Sequence, residues 1–214
     1  MKILLLLLVI FVVSSGHAQT HRFESEIKKF EETDKNTPPP TNAIVFTGSS
    51  SIRFWDNLAS YFPGKTVLQR GFGGSELSDV RYFADRVIIR YQPKQVVLYA
   101  GENDIAAGQT SRQTYARFVD LFRYVRKQLP NARFTFISLK PSPSRRKFRP
   151  DVDETNQRIK RFLSRRRHTD FVDIVPVMLQ PNGEPIGELF KGDSLHMTKK
   201  GYVSWGNVLR PFVE

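Results

Sequence analysis

From residue 43 onward, continuous apolar segments alternate with stretches in which apolar residues recur at helical spacing. Segments such as VVLYA and FTFISL are largely apolar at successive positions, as expected of parallel strands covered on both faces. The pattern predicts strands over residues 43–48, 66–71, 95–100, 132–139 and 170–175, and helices over 51–61, 76–91, 111–129, 151–167 and 198–210. This alternation predicts an α/β fold, a three-layer α/β/α sandwich around a five-stranded parallel sheet in the order 2-1-3-4-5.

The first 18 residues have the features of a secretory signal. Lys2 precedes an apolar run, and small residues lead up to Ala18. The run is shorter than the ~20 apolar residues that a spanning helix needs. We therefore expect cleavage after Ala18, no stable membrane span afterwards, and a secreted or periplasmic protein; an uncleaved anchor is the alternative.

Residues 19–42 are predicted to form an N-terminal helix, over 21–36, and a Pro-rich connector, and residues 43–214 the main domain. The chain has no cysteine, which excludes disulfides, cysteine nucleophiles, thiolate metal sites and a lipoprotein-type anchor. No metal is expected, because the four histidines provide no zinc-ligand spacing. No organic cofactor is expected either.

The formal net charge of +12 is concentrated in residues 145–149 and 158–167. The second cluster lies on a helical pattern with an apolar inner face, so a solvated helix surface accounts for it. Attraction to anionic lipid or glycan surfaces is the functional alternative. Nucleic-acid binding is not expected, since no recognised motif accompanies the charge in a chain predicted to be exported. The oligomeric state is left open.

Four short motifs carry the candidate chemistry: GSSSI (48–52), GFGGS (71–75), GEND (101–104) and DSLH (193–196). The first three each follow a predicted strand. Because the carboxyl ends of parallel strands meet at one edge of a sheet, we expect the three motifs to converge on one crevice. Together the motifs supply a serine, hydrogen-bond donors and an Asp/His pair, which are the groups that ester hydrolysis requires.

Ser50 is the candidate nucleophile, since it lies at the turn from the first strand into a helix. Ser49, Ser50 and Ser51 could equally be turn or N-cap residues. The motif is not the GxSxG elbow of α/β-hydrolases, because position 52 is Ile.

Gly74 and Asn103 are the candidate oxyanion donors. The Gly74 backbone N–H can approach a substrate closely, with Ser75 as the expected cap of the next helix. GFGGS does not match the dinucleotide-binding fingerprint, because its sixth position is Glu76. The Asn103 carboxamide is a neutral donor suited to an oxyanion, although an Asx turn would also explain it.

His196 is the candidate general base, and Asp193, three residues earlier, can hold its imidazole. A helix-capping Asp193 beside an incidental histidine is the alternative. His168 follows three arginines at the end of a predicted helix, where a cation is favoured, so we interpret it as structural.

With these motifs in this order, residues 43–210 resemble an SGNH hydrolase of the GDSL-type esterase/lipase superfamily. The chain is especially similar to the branch of platelet-activating-factor acetylhydrolase subunits and bacterial GDSL-like acylhydrolases. It departs in having Ser49 and Ser75 where Asp is common. The resemblance implies the SGNH hydrolase fold for residues 43–214, a nucleophile at Ser50, oxyanion donors at Ser50, Gly74 and Asn103, and Asp193 orienting His196.

The expected function is therefore that of a serine esterase acting through an acyl-enzyme on Ser50. The absence of a long apolar insertion favours short acyl or acetyl groups, on glycans or on lysophospholipids. A noncatalytic envelope- or glycan-binding module on the same scaffold is one alternative. An O-acyltransferase that uses the same residues is the other.

Overall fold

The computed structural model describes residues 21–214, so the predicted signal over residues 1–18 lies outside the described residues. Five parallel strands form one sheet in the order β2-β1-β3-β4-β5, which confirms the predicted order. The strands are β1 (Ile44–Gly48), β2 (Val67–Gly71), β3 (Gln95–Tyr99), β4 (Arg133–Ile137) and β5 (Thr169–Val172). The α-helices are α1 (Glu24–Asn36), α2 (Ser50–Arg53), α3 (Leu77–Tyr82), α4 (Ala84–Val87), α5 (Glu102–Ala106), α6 (Ser111–Gln128), α7 (Arg149–Leu163) and α8 (Lys199–Leu209).

Helices cover both faces of the sheet. Successive side chains of a strand point to opposite faces. On one face, Tyr99 of β3 lies 5.0 Å, between ring centroids, from Trp205 of α8. On the other face, Phe136 of β4 lies 5.0 Å from Phe118 of α6. All five residues of β1 are buried, as expected of a central strand between two helical layers.

Helix α1 corresponds to the helix predicted over residues 21–36 and packs on the domain. Its Ile27 is fully buried, and Phe23 lies edge-on to Phe72 at 5.2 Å. Near its C-terminal end, buried Asp34 pairs with Arg70 of β2 and accepts a hydrogen bond of 2.6 Å from the Tyr91 hydroxyl. Both apolar burial and a paired buried charge therefore attach α1 to the β2 side of the sheet.

Two predicted helices are interrupted. The segment 51–61 contains only α2 and a 3₁₀ turn at Leu58–Tyr61, because Asn57 adopts a left-handed conformation between them. The segment 76–91 breaks into α3, α4 and a 3₁₀ turn at Ile89–Tyr91. Phe83 and Ile88 leave helical geometry at the two breaks while their side chains stay buried, so packing on the core overrides helical continuity.

The remaining boundaries differ by a few residues. Helix α7 begins at Arg149 rather than at residue 151, and the segment between β4 and α7 contains a 3₁₀ turn at Pro143–Phe148. Strands β4 and β5 end two and three residues before their predicted ends. None of these shifts changes the topology.

The carboxyl edge of the sheet brings the first three motifs together. β1 pairs with both β2 and β3, and Gly48 is in register with Gly71 and Tyr99. Gly48 has φ of +122°, and a Cβ there would lie 1.9 Å from the Tyr99 carbonyl oxygen. Only glycine allows the chain to turn this closely past β3 into α2.

Within residues 21–214, no helix combines the length and apolar character needed to cross a membrane.

Candidate active site

Ser50 is the first residue of α2, immediately beyond the carboxyl end of β1. The Ser49 N–H donates to the Tyr99 carbonyl at 2.9 Å, which keeps the turn against β3. Ser49 and Ser51 are buried, and Ser51 Oγ accepts a hydrogen bond of 3.3 Å from Lys140 Nζ. Of the three consecutive serines, Ser50 is therefore the one with a partly accessible side chain.

Asp193 and His196 lie in a compact turn that precedes α8. Asp193 Oδ1 accepts the backbone N–H groups of Leu195 and His196, each at 2.9 Å. Asp193 Oδ2 lies 2.6 Å from His196 Nδ1. The intervening Ser194 has φ of +56°, which lets the turn close over this short span. Asp193 thus holds both the backbone and the ring of His196.

The hydrogen bonds define the state of the His196 ring. Because Nδ1 faces a carboxylate, the proton of the neutral imidazole belongs on Nδ1. The Nε2 lone pair then faces Ser50 Oγ, 3.1 Å away, and accepts a hydrogen bond from the Ser50 hydroxyl. The edge of the Phe54 ring packs on the imidazole, with centroids 4.9 Å apart. The structure therefore brings together the predicted Ser50, Asp193 and His196.

Asn103 lies in the first turn of α5, just beyond β3. One Nδ2 hydrogen is donated to the Ser75 carbonyl at 3.0 Å, and Oδ1 accepts from Arg145 Nη2 at 2.8 Å. These two partners fix the orientation of the carboxamide plane. Its second N–H has no hydrogen-bond partner among residues 21–214, and this is the group that an oxyanion would need.

Gly74 lies in the exposed turn between β2 and α3 with φ of +72°. Within residues 21–214, no backbone carbonyl accepts the N–H of Gly74 or of Ser50. Ser75 is not the cap of α3: its hydroxyl donates to the Phe72 carbonyl at 3.2 Å. Helix α3 begins after Glu76, whose N–H donates to Asp79 Oδ2 at 2.8 Å. The expectation for Ser75 was wrong because the turn after β2 continues one residue further before the helix starts.

A buried ion pair between Glu102 and Lys140 lies directly behind these residues, and sequence reasoning missed it. The two side chains are 4% and 2% exposed. Glu102 Oε2 also accepts from the Tyr99 hydroxyl, and Oε1 accepts from the Ser142 hydroxyl, both at 2.6 Å. Arg145 Nη1 lies 3.4 Å from Glu102 Oε1. Glu102 and Lys140 each follow the end of a buried strand, at the same edge of the sheet. This position in the sequence could have indicated that the two charges meet.

Burial and pairing act against each other in this network. Burial disfavours the carboxylate of Glu102, but the charges of Lys140 and Arg145 outweigh it and hold the Glu102 pKa below its usual value. Burial lowers the pKa of Lys140, while Glu102 opposes the shift. Burial, followed by the Glu102 charge, raises the pKa of Tyr99 well above its usual value. Tyr99 is therefore a hydrogen-bond donor at neutral pH.

The 3₁₀ turn at Pro143–Phe148 connects the two halves of the site. The backbone N–H and the hydroxyl of Ser144 both donate to the Ser194 carbonyl, at 3.1 and 3.0 Å. Arg145, the next residue, contacts Asn103 and Glu102. One short segment therefore contacts both the turn that carries His196 and the residue proposed to face the oxyanion.

His168 lies away from this site, before the amino end of β5 rather than at the carboxyl edge of the sheet. His168 has φ of +55° and precedes β5, five residues beyond the end of α7. Its predicted place at a helix end is therefore wrong, because α7 stops before the arginine run.

Within the described range 21–214, no group of three or more His, Cys, Asp or Glu could hold a metal ion.

Comparison with known proteins agrees with the fold. The family described as GDSL-like Lipase/Acylhydrolase matches residues 40–203. No curated protein matches the chain.

Solved structures with the same fold include one described as a platelet activating factor from Streptococcus pneumonia, at 18% identity and a TM-score of 0.78 over 89% of this chain and 92% of that one. A GDSL-like lipase from Bacteroides thetaiotaomicron is 19% identical, with a TM-score of 0.76 over 88% and 97%. A family 3 carbohydrate esterase from Clostridium thermocellum is 14% identical, with a TM-score of 0.65 over 82% and 100%.

We expect the Asp193 carboxyl to titrate below its ordinary pKa of 3.8, because the His196 ring and two backbone N–H groups bind its charged form. It should stay ionised as the pH falls through 3.8, and its contribution to folding stability should decline progressively between 3.8, the ordinary value of an unfolded chain, and the lower pKa of the folded state. Carbon NMR titration of the Asp193 side chain measures the midpoint.

His196→Ala is the comparison for this titration. It removes the largest of the interactions that lower the Asp193 pKa, so the midpoint should move up towards 3.8. A wild-type midpoint at or above 3.8 would contradict the assigned geometry.

Proposed function

The chain belongs to the GDSL-like lipase/acylhydrolase family, and from this premise we propose that it cleaves esters through an acyl-enzyme on Ser50. Membership in the family makes the protein a carboxylic ester hydrolase. The proposal concerns the residues that carry the reaction and the esters on which they act.

In the first half of the reaction, Ser50 Oγ attacks the ester carbonyl carbon while His196 Nε2 takes the hydroxyl proton. The hydrogen bond of 3.1 Å between these atoms places the base within reach of that proton. The imidazolium that forms is stabilised by Asp193, 2.6 Å from Nδ1. His196 then gives the proton to the departing alkoxide, which leaves as an alcohol.

The oxyanion of the tetrahedral intermediate accepts hydrogen bonds from the backbone N–H groups of Ser50 and Gly74 and from the free Nδ2 hydrogen of Asn103. Donors held in place before the reaction stabilise charge that develops in the transition state without a cost of reorientation. Arg145 and the Ser75 carbonyl hold the Asn103 carboxamide from two sides. This supports the assignment of Arg145 as a positioning residue.

In the second half, His196 Nε2 takes a proton from water, and the resulting hydroxide attacks the acyl carbon on Ser50. The tetrahedral intermediate uses the same donors. Its collapse returns the proton to Ser50 Oγ and releases the carboxylic acid.

The predicted signal over residues 1–18 would place this activity outside the cytoplasm.

The observation that carries the proposal is the continuous hydrogen-bond chain from Asp193 through His196 to Ser50. We expect Ser50→Ala to abolish hydrolysis of p-nitrophenyl acetate while the domain remains folded. A fluorophosphonate probe should label the wild-type protein stoichiometrically and leave Ser50→Ala unlabelled, as measured by intact-protein mass spectrometry.

Ser164→Ala is the matched control, because Ser164 is an exposed serine beyond α7. It should keep full activity and labelling. Wild-type turnover in folded Ser50→Ala would remove Ser50 from the mechanism. A wild-type protein that is inert to the probe and binds glycan would support the noncatalytic module instead.

Asn103→Ala should reduce kcat by roughly 10²–10³-fold with little change in KM, since the interaction forms in the transition state. Arg145→Met should also reduce kcat, because it removes the group that orients Asn103 Oδ1. If Arg145 acts through Asn103, the double variant should be no slower than Asn103→Ala alone. Steady-state kinetics on p-nitrophenyl acetate gives all three values.

Lys147→Met is the control for this cycle, as Lys147 is exposed in the same 3₁₀ turn. It should keep the wild-type kcat. Multiplicative effects of Asn103→Ala and Arg145→Met would show that Arg145 acts independently of Asn103, and a purely structural role would appear as a loss of folded protein.

We also propose that the acyl group is short and that the ester belongs to a glycan or a lysophospholipid. The cavity beside Phe54, which contacts the His196 ring, includes the charged residues Asp56, Lys191 and Lys199 in its lining. A long alkyl chain gains ~0.8 kcal/mol per buried methylene only where it meets apolar surface.

We therefore expect kcat/KM to be higher for p-nitrophenyl acetate than for the octanoate. A series of p-nitrophenyl esters of increasing acyl length measures this preference under identical conditions. A rise of kcat/KM with chain length would contradict the short-acyl proposal and leave the Ser50 mechanism intact.

A further inference from the structure

A cavity of about 120 Å³ lies between the segment that follows β4, the start of α7 and the turn at residues 183–185. This volume accommodates a small charged group with the carbons that carry it. Its lining comprises Lys140, Pro141, Ser142, Arg145, Arg146, Arg149, Val152, Gly183, Glu184 and Pro185. No step of the proposed mechanism uses this cavity.

The cavity adjoins the candidate active site through Arg145. This side chain lines the cavity and donates to Asn103 Oδ1 at 2.8 Å. The preceding residue, Ser144, donates to the carbonyl of Ser194, inside the turn that carries His196. A substrate whose ester carbonyl faces Asn103 could therefore extend a neighbouring group into the cavity.

The lining carries more positive than negative charge. Among the described residues that line the cavity, four carry a positive charge and Glu184 carries a negative one. Glu102, which approaches Lys140 and Arg145 from the interior, is 4% exposed and already accepts two hydroxyl hydrogen bonds. Its charge balances one of the two positive charges of Lys140 and Arg145, so one positive charge of this pair is left in excess.

Two of the arginines have donors to offer. Arg149 binds Asp153 through Nε, at 2.8 Å to each carboxylate oxygen, and its terminal nitrogens make no hydrogen bond in the described part of the chain. Arg146 pairs with Glu184 at the surface, where the side chains are 69% and 42% exposed. An exposed pair of this kind contributes little to stability, so an incoming anion can compete for Arg146.

The backbone adds to this preference. Arg149 and Val152 belong to the first turn of α7, a helix of 15 residues, and the preceding Phe148 provides no side-chain cap. The partial positive charge of such a terminus favours an anion. Asp151 in the same turn and the Arg149 N–H, which donates to the Arg146 carbonyl, reduce this contribution below that of the arginine side chains. Arginine guanidinium groups also match the planar geometry of a carboxylate.

We propose that this cavity binds the carboxylate of an acidic sugar that carries the scissile acyl group. The inference rests on the proposed esterase function and names its substrate class as O-acylated uronic acids. A phosphate group offers similar chemistry, and the substrate set below separates the two.

The test compares O-acetylated methyl glycosides of galacturonic acid, galactose and galactose 6-phosphate, which differ at the sixth carbon. We expect the uronic acid ester to exceed the galactose ester in kcat/KM by roughly tenfold or more, mainly through KM. The preference should fall as ionic strength rises. A preference for the phosphate over the carboxylate would overturn the assignment of an acidic sugar.

Arg149→Gln and Arg146→Gln should each reduce the ratio of acidic to neutral kcat/KM. Lys147→Gln is matched in charge and lies in the same segment without lining the cavity, so it should keep the ratio. Circular dichroism and thermal unfolding confirm that each variant is folded. Equal rates on the acidic and neutral esters in the active wild type, or an unchanged ratio in both arginine variants, would overturn the proposal.

Binding separates this inference from the esterase mechanism. Calorimetric titration of Ser50→Ala with methyl galacturonoside should show binding that Arg149→Gln weakens and that methyl galactoside does not reproduce. Binding without wild-type turnover of any ester would contradict the Ser50 mechanism and leave the anion site standing. Turnover of neutral esters without such binding would contradict the anion site alone.

Discussion

Glu102 and Lys140 form a nearly solvent-free ion pair at the carboxyl ends of β3 and β4, and the surrounding contacts converge on it. Removing two charges from water costs several kcal/mol per ion, so such a pair persists only where further hydrogen bonds satisfy the remaining atoms. Tyr99, Ser142 and Arg145 complete those contacts. The pair therefore requires the residues beyond two adjacent strands to adopt one arrangement, and the candidate site is built on that arrangement.

The site is assembled from the two ends of the domain. Ser50 follows the first strand, and His196 lies 146 residues later, in the turn before the last helix. The parallel sheet places β1 beside β3, so Ser50 and Asn103 share one edge. The 3₁₀ turn after β4 then contacts Asn103 through Arg145 and the Asp193–His196 turn through Ser144. The same turn carries Arg145 and Arg146, which line the cavity next to the candidate active site.

Sequence patterns predicted the strands, their order and the residues that the site brings together. The strands were recognisable because a central parallel strand must be apolar on both faces. The site residues were recognisable because serine, histidine, aspartate and asparagine followed strand ends or occurred as a close pair. The continuous helices at 51–61 and 76–91 were wrong, since their apolar spacing was helical while Asn57, Phe83 and Ile88 left helical geometry in the fold.

Local patterns along the chain were thus sufficient for the architecture and for naming the candidate side chains that the fold brings together, because periodicity and turn chemistry act over a few residues. The tertiary structure alone decided that Arg145 orients Asn103 and that Glu102 and Lys140 are paired out of solvent. These features depend on burial and on distances between segments far apart in sequence. A charged residue looks the same in a sequence whether water or an opposite charge surrounds it, and only the packing of the folded chain distinguishes the two.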